Sequence, residues 1–265
     1  MQDSHKPNVL NSRSIGTGKE LFFLHGWGMN GGAFAKLFPY LQEDFTLTVI
    51  DLPGFGDNSH VVPEPFTLPA LSELVAAKLS TDAIIVGWSF GGLLAQHLAL
   101  QHQSKIAAMV TIAASPKFEQ APGWPGIDAT LLAQFQQQLS QDYKKTIERF
   151  LAIQAMGSTT ARQDIKAIRQ AIHDFPEPAR KALAEGLKLL SSEDLRHEIN
   201  RIKQPTLRLY GRLDSLVPPS SIDQICKLHP HADTVVLPHA SHAPFISHPQ
   251  QTADIIRHFV MTQLT

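Results

Sequence analysis

The sequence predicts an α/β fold built on a mostly parallel, doubly wound sheet, with a helical segment inserted into it. Three observations carry that expectation. Short apolar runs bounded by turn residues recur at 21–24, 45–50, 83–86, 106–112, 206–210 and 234–237, as in strands buried on both faces. Stretches with helical spacing alternate with them, at 33–41, 68–79, 93–101, 220–228 and 252–261. Between 115 and 204 the alternation stops, and helical spacing continues without a convincing strand.

The interruption reads as a helical cap, so residues 1–114 and 205–265 form the core and 115–204 the insertion. Its start is rich in Pro and Gly (Pro116, Pro122, Gly123, Pro125, Gly126), which suits a loop leaving the sheet, and Pro205 marks the return to strand. A short run at 9–14, joined through Gly16-Thr17-Gly18 to the run after it, is expected to add an antiparallel edge hairpin. A chain of 265 residues with 43% hydrophobic content can bury one sizeable core.

Composition narrows the function. A formal charge of −1 provides no global attraction to nucleic acid or anionic lipid, so any electrostatic partner must be met by a local patch. The single cysteine, Cys226, rules out an internal disulfide, and no run of 18 apolar residues could span a bilayer. The first 14 residues are polar and lack the apolar core of a secretory signal, so cytoplasm is the expected address. Thirteen histidines occur without a His-Glu-x-x-His pattern, and Cys226 with His229 lacks a second ligand pair. Neither a metal nor another cofactor is expected.

Gly87-Trp88-Ser89-Phe90-Gly91 stands between the run at 83–86 and the helical stretch from 93. This is the G-x-S-x-G pattern in the strand-turn-helix setting it requires. The serine has to sit on a strained turn that lifts its hydroxyl above the sheet, and flanking glycines keep side chains off the neighbouring backbone. N–H groups opening the next helix point to where an oxyanion would form. A glycine-rich turn with a chance serine is the bland alternative, and the strand before and helix after weigh against it.

A serine hydroxyl is a weak nucleophile at neutral pH, so it needs a base within hydrogen-bond reach and a group that fixes the base's tautomer. The run at 206–210 leads into Gly211-Arg212-Leu213-Asp214, placing an acid at the C-terminal edge of a strand, where open α/β sheets assemble their sites. The run at 234–237 leads to Ser241-His242-Ala243-Pro244-Phe245, in the last loop before the final helix. Ser89, Asp214 and His242 are thus the candidate nucleophile, orienting acid and general base, in the chain order of α/β-hydrolases. His239 and His248 compete with His242, and Asp223 and Asp233 with Asp214; position in the loops favours His242 and Asp214. His25-Gly26-Trp27-Gly28 follows the run at 21–24 and supplies a second oxyanion loop, so the donors are assigned to the backbone N–H groups of Trp27 and Phe90. His25 reads as a brace of that loop. Asp51-Leu52-Pro53-Gly54-Phe55-Gly56 reads as a tight structural turn nearby, without catalytic duty.

Taken together, Leu24-His25-Gly26-Trp27-Gly28, the 51–56 turn, Gly87-Trp88-Ser89 and Ala243-Pro244-Phe245-Ile246-Ser247-His248-Pro249 resemble the BioH family of pimeloyl-[acyl-carrier protein] methyl ester esterases. The likeness continues through the cap in Trp124-Pro125-Gly126-Ile127, 135–140, 148–154, Met156-Gly157, 160–164 and Asp194-Leu195-Arg196, and into the sheet again at 207–211. Caps set substrate choice, so these are the specific part of the match. The resemblance implies a serine carboxylesterase that cleaves the methyl ester of pimeloyl-acyl-carrier protein in biotin synthesis. It also implies a substrate site lined by Trp27, Ser89, Phe90, Phe150, Leu151, Ala152, Ile153, Gln154 and His242. This chain departs at Phe90, where the family pattern has leucine, and at Lys145 and Lys166, where it has arginine; Phe90 keeps its backbone donor.

Charge in the cap agrees with an acidic partner. From Lys144 to Arg169 six basic residues face two acidic ones, and Lys145 with Arg149, like Arg162 with Lys166, stands four apart on one helix face. Those four are the candidate docking residues for the acyl-carrier protein, with a solvated helix face as the plain alternative. A monomer is expected. Two other functions compete: a generalist short-chain carboxylesterase, and a non-catalytic acyl-binding protein, which the filled triad disfavours.

Overall fold

In a computed structural model, described for residues 9–155 and 160–264, the apolar runs assemble one seven-stranded sheet. Its strands are β1 (Ser12–Gly16), β2 (Lys19–Leu24), β3 (Phe45–Ile50), β4 (Ala83–Trp88), β5 (Ile106–Ile112), β6 (Thr206–Gly211) and β7 (Asp233–Leu237). The order is β1-β3-β2-β4-β5-β6-β7, parallel throughout except β1 against β3. All residues of β4 and β6 are buried, which is why they read as continuous apolar runs rather than alternating ones. Helices α1 (Leu68–Ala76) and α2 (Phe90–Gln101) precede β5, while α7 (Pro219–Leu228), α8 (Pro244–Ser247) and α9 (Pro249–Gln263) follow β6. The central α2 is buried from Phe90 to Leu100.

Between β5 and β6 lie α3 (Ala129–Gln141), α4 (Tyr143–Gln154), α5 (Ala161–His173) and α6 (Arg180–Ser192), with two isolated bridges in the 119–127 loop but no strand among the described residues. Sequence marks their starts. Asp128 accepts from the Thr130 N–H at 2.7 Å and Asp142 from the Lys145 N–H at 3.0 Å, satisfying donors that have no partner within the helix. The Met156-Gly157 motif lies outside the described residues.

Two expectations are corrected. The N-terminal run does form an antiparallel edge strand, yet it pairs with β3 and not with β2, so there is no hairpin. Both edges of β2 are occupied, by β3 and β4, and the link from β1 packs its glycines on the turn before β3. A Cβ at Gly16 or Gly18 would fall 2.3 or 2.4 Å from the Phe45 or Asp44 carbonyl oxygen. The helix expected over 33–41 is replaced by two 3-10 turns, Gly31–Phe34 and Phe38–Tyr40. Pro39 cannot donate to the carbonyl four residues back, and its ring would clash there.

Candidate active site

The chain leaving β4 reverses at Ser89, whose φ of 54° and ψ of −116° lie where side chains are rarely tolerated. Glycine makes the reversal possible. A Cβ at Gly91 would lie 2.2 Å from the Leu24 carbonyl oxygen, and one at Gly87 would lie 2.4 Å from that of Gly91. The Ser89 N–H is held by the Ile112 carbonyl at 2.9 Å, and the Ser89 carbonyl accepts from Gly92 and Leu93, starting α2.

Three distant segments meet at this point. Asp214, beyond β6, accepts from the Leu216 and Val217 N–H groups on Oδ1 at 2.8 and 3.1 Å, which leaves Oδ2 aimed at His242 Nδ1, 2.8 Å away. With the Nδ1 proton given to the carboxylate, Nε2 is free to accept from the Ser89 hydroxyl at 2.9 Å. Ser89, Asp214 and His242 are all buried, at 2%, 2% and 0% exposure, so both bonds act at low dielectric. The His242 backbone is pinned as well: its carbonyl accepts the Trp88 indole N–H at 2.9 Å and its N–H donates to the Gln154 carbonyl at 3.2 Å. The competitors stand elsewhere. His239, Asp223 and Asp233 are exposed, and His248 bonds Ser247.

The loop after β2 lies against this site. A Cβ at Gly26 would sit 3.1 Å from the Trp88 ring and 3.4 Å from Ser89 Cβ, so only glycine brings the backbone this close. Phe90 opens α2, and its N–H has no acceptor within the helix by position. His25 serves as the brace expected: Nδ1–H donates to the Gly26 carbonyl at 2.8 Å and Nε2 accepts from the Leu52 N–H at 2.9 Å. Burial pushes the pKa of His25 down, which keeps the ring neutral for both bonds. Asp51 binds the other end of the loop, accepting from the Gly31 N–H at 2.6 Å while Arg13 supplies the countercharge at 3.1 Å.

Comparison with known proteins identifies the family. The alpha/beta hydrolase fold family matches residues 20–249. The pimeloyl-[acyl-carrier protein] methyl ester esterase of Aeromonas hydrophila is 49% identical over 93% of this chain and 97% of its own length. The chain belongs to this esterase family, within the alpha/beta hydrolase fold. Esterases of the same description from Pseudoalteromonas atlantica and Vibrio vulnificus are 44% and 42% identical, each over 91% of this chain and 93% and 94% of their own. Solved structures agree on the fold. An esterase from Exiguobacterium antarcticum superposes with a TM-score of 0.82 at 20% identity, covering 95% of each chain. A thermophilic esterase from Thermogutta terrifontis reaches 0.82 at 22% identity, over 97% of this chain and 94% of that one.

On this esterase scaffold the inserted helices close over the site. Trp27 is fully buried, donates its indole N–H to the Leu183 carbonyl of α6 at 2.9 Å, and meets Phe150 of α4 edge-on at 4.9 Å. Along α4, Phe150, Leu151 and Gln154 are buried and Ile153 half-buried. Ala152 is exposed: at about 100° per residue the helix turns it away from the buried face of α4. The Gln154 side-chain amide is buried and, among the described residues, has no hydrogen-bond partner. Beside the site a cavity of about 390 Å³ lies between α4 and α5, with Gly28, Met29 and Asn30 on its inner wall and Ile147, Leu151 and Arg169 among the rest.

The expected docking residues Lys145, Arg149, Arg162 and Lys166 are all exposed on α4 and α5. Arg149 reaches Gln138 and lies over the Phe135 ring, 6.0 Å from its centroid. Their basic neighbours are neutralised: Lys144 pairs with Glu177 at 2.5 Å and Arg169 with Glu148 at 3.3 Å. Among the described residues the four docking candidates carry no such ion pair. Also among these, no group of three or more His, Cys, Asp or Glu could hold a metal ion, and no helix is long and apolar enough to cross a membrane. Sequence reasoning missed the indole of Trp88 and the carbonyl of Leu183, which hold the loops of the candidate site; no motif announces a bond made by a distant backbone carbonyl.

Proposed function

We propose that this chain hydrolyses the methyl ester of pimeloyl-acyl-carrier protein, releasing methanol and the free carboxylate that commits the acyl chain to biotin. The hydrogen-bonded path from Ser89 Oγ through the His242 ring to Asp214 carries the chemistry of this reading. The substrate comes from the esterases it resembles over nine-tenths of its length.

In the reaction, His242 Nε2 takes the Ser89 proton as Oγ attacks the ester carbonyl. Asp214 holds the ring in the required tautomer and stabilises the imidazolium. The Trp27 and Phe90 N–H groups receive the tetrahedral oxyanion, each such donor being worth about 3 kcal/mol in the transition state. As the C–O bond to the methoxy group breaks, His242 returns the proton and methanol leaves. Water, deprotonated by the same nitrogen, then attacks the acyl-enzyme, and His242 returns that proton to Ser89 Oγ as the acyl–oxygen bond breaks and the free acid leaves. Phe150, Leu151 and Ile153 supply the apolar wall, and the unpartnered Gln154 amide can bind a polar atom of the substrate. The acidic carrier stays outside, against Lys145, Arg149, Arg162 and Lys166. Lysine at two of these positions keeps the charge but not the bidentate fork. A cytoplasmic monomer completes the reading.

Mass spectrometry of pimeloyl-carrier methyl ester incubated with the protein tests this directly. The wild type should remove a methyl group in each turnover, and Ser89→Ala should leave the ester intact. Unchanged demethylation by the variant would end the mechanism.

A further inference from the structure

Gly186 stands in the interior of α6, where glycine weakens a helix relative to alanine. Its surroundings account for it. A Cβ there would lie 3.0 Å from Cδ1 and 3.3 Å from Nε1 of Trp27, and 4.0 Å from Cζ of Phe90. One turn earlier on the same helix, the Leu183 carbonyl accepts the Trp27 indole N–H at 2.9 Å. The side chains of the two residues proposed above as oxyanion donors thus converge on one notch, and Phe150 closes the other side of the indole.

We propose that the notch at Gly186, together with the Leu183 carbonyl, is a positioning element of the oxyanion hole, seating the Trp27 indole and through it the Trp27 N–H. The loop is tied at both ends, by Leu52 to His25 and by Asp51 to Gly31. Between these ties the Met29 N–H donates to the Gly26 carbonyl at 3.2 Å, but glycine stands on both sides of Trp27, with Gly28 at a φ of +74°, so little else fixes the peptides that flank it. The indole adds a further restraint: it is rigid, fully buried and close-packed, and a push on the ring passes to its Cα. Helix packing in the insertion and transition-state stabilisation are therefore coupled at one glycine. This rests on the oxyanion role proposed above for Trp27.

The test is Gly186→Ala in the full chain, assayed on p-nitrophenyl butyrate, on a trifluoromethyl ketone whose Ser89 hemiketal places its oxyanion in the hole, and by thermal unfolding. Alanine would force the indole to give by a few tenths of an ångström. We expect kcat to fall about tenfold with KM within about twofold, and ketone affinity to fall in proportion to kcat. The melting temperature should shift by only a few degrees, because alanine's preference for the helix offsets part of the cost of crowding the ring. In a Trp27→Ala background, where nothing is left to seat, Gly186→Ala should be silent. Wild-type kcat, a change confined to KM, a loss that tracks unfolding, or an equal penalty in the Trp27→Ala background would each overturn the proposal. Ser89→Ala assayed alongside separates the two readings: full activity there defeats the esterase mechanism itself, whereas an inactive Ser89→Ala beside a fully active Gly186→Ala defeats only the notch.

Discussion

Ser89 occupies a backbone conformation that few residues adopt, and the surrounding contacts hold it there: the Ile112 carbonyl behind it, glycines on either side and His242 in front. At this scale the carboxylate of Asp214 is committed twice. One oxygen takes two backbone N–H groups and the other takes the imidazole. Asp214→Asn should therefore fold, because an amide oxygen can still accept from Leu216 and Val217, while its NH2 group faces Nδ1 and enforces the wrong tautomer. We expect kcat to fall by about 10³–10⁴-fold with little change in KM, measured by steady-state kinetics beside a thermal melt. The residue types were legible in the sequence because each follows a strand at the C-terminal edge of the sheet. The braces were not, since Gln154 and Leu183 act through backbone carbonyls that every residue possesses.

Among the elements, β6 carries a cost visible only in three dimensions. Arg208 is fully buried, with Gln96 and the ring of His229 as polar partners at 3.4 and 3.0 Å. His229 Nδ1 accepts from the guanidinium and Nε2–H donates to the Ile202 carbonyl at 3.2 Å, an arrangement that requires a neutral ring. Burial, reinforced by the Arg208 charge, lowers its pKa from 6.5 to about 4. Because the folded value lies below the unfolded one, the unfolded chain binds more protons between these two pH values, and stability falls as pH falls through that window. The loss approaches about 3 kcal/mol at pH 4 and is absent above pH 7. Urea midpoints at pH 7 and pH 4.5 should thus separate more in the wild type than in His229→Gln. Periodicity located most elements but misjudged two of them for physical reasons: Pro39 breaks a pattern that apolar spacing alone supports, and strand partners depend on which sheet edge is vacant.

Across the whole molecule, a parallel sheet brings residues 89, 214 and 242 to one edge, and the helices between β5 and β6 cover them. The exposed cations of α4 and α5 lie on that cover, outside the buried triad. Reversing charge at Arg149 and Arg162 together should lower kcat/KM on a carrier-linked methyl ester by at least about tenfold at low salt and leave a free short-chain ester untouched. Equal rates on both substrates would favour the generalist esterase. What the sequence by itself determined is the kind of strand, the glycine turn that carries a serine, the order of the triad and the excess of basic residues, because burial pattern and turn chemistry are local. Only the tertiary structure decided which strand β1 joins, which face of α4 turns inward, that Lys144 and Arg169 are already neutralised and that α6 seats Trp27. Those outcomes depend on groups far apart in the chain meeting at ångström separations, and no local pattern records such a meeting.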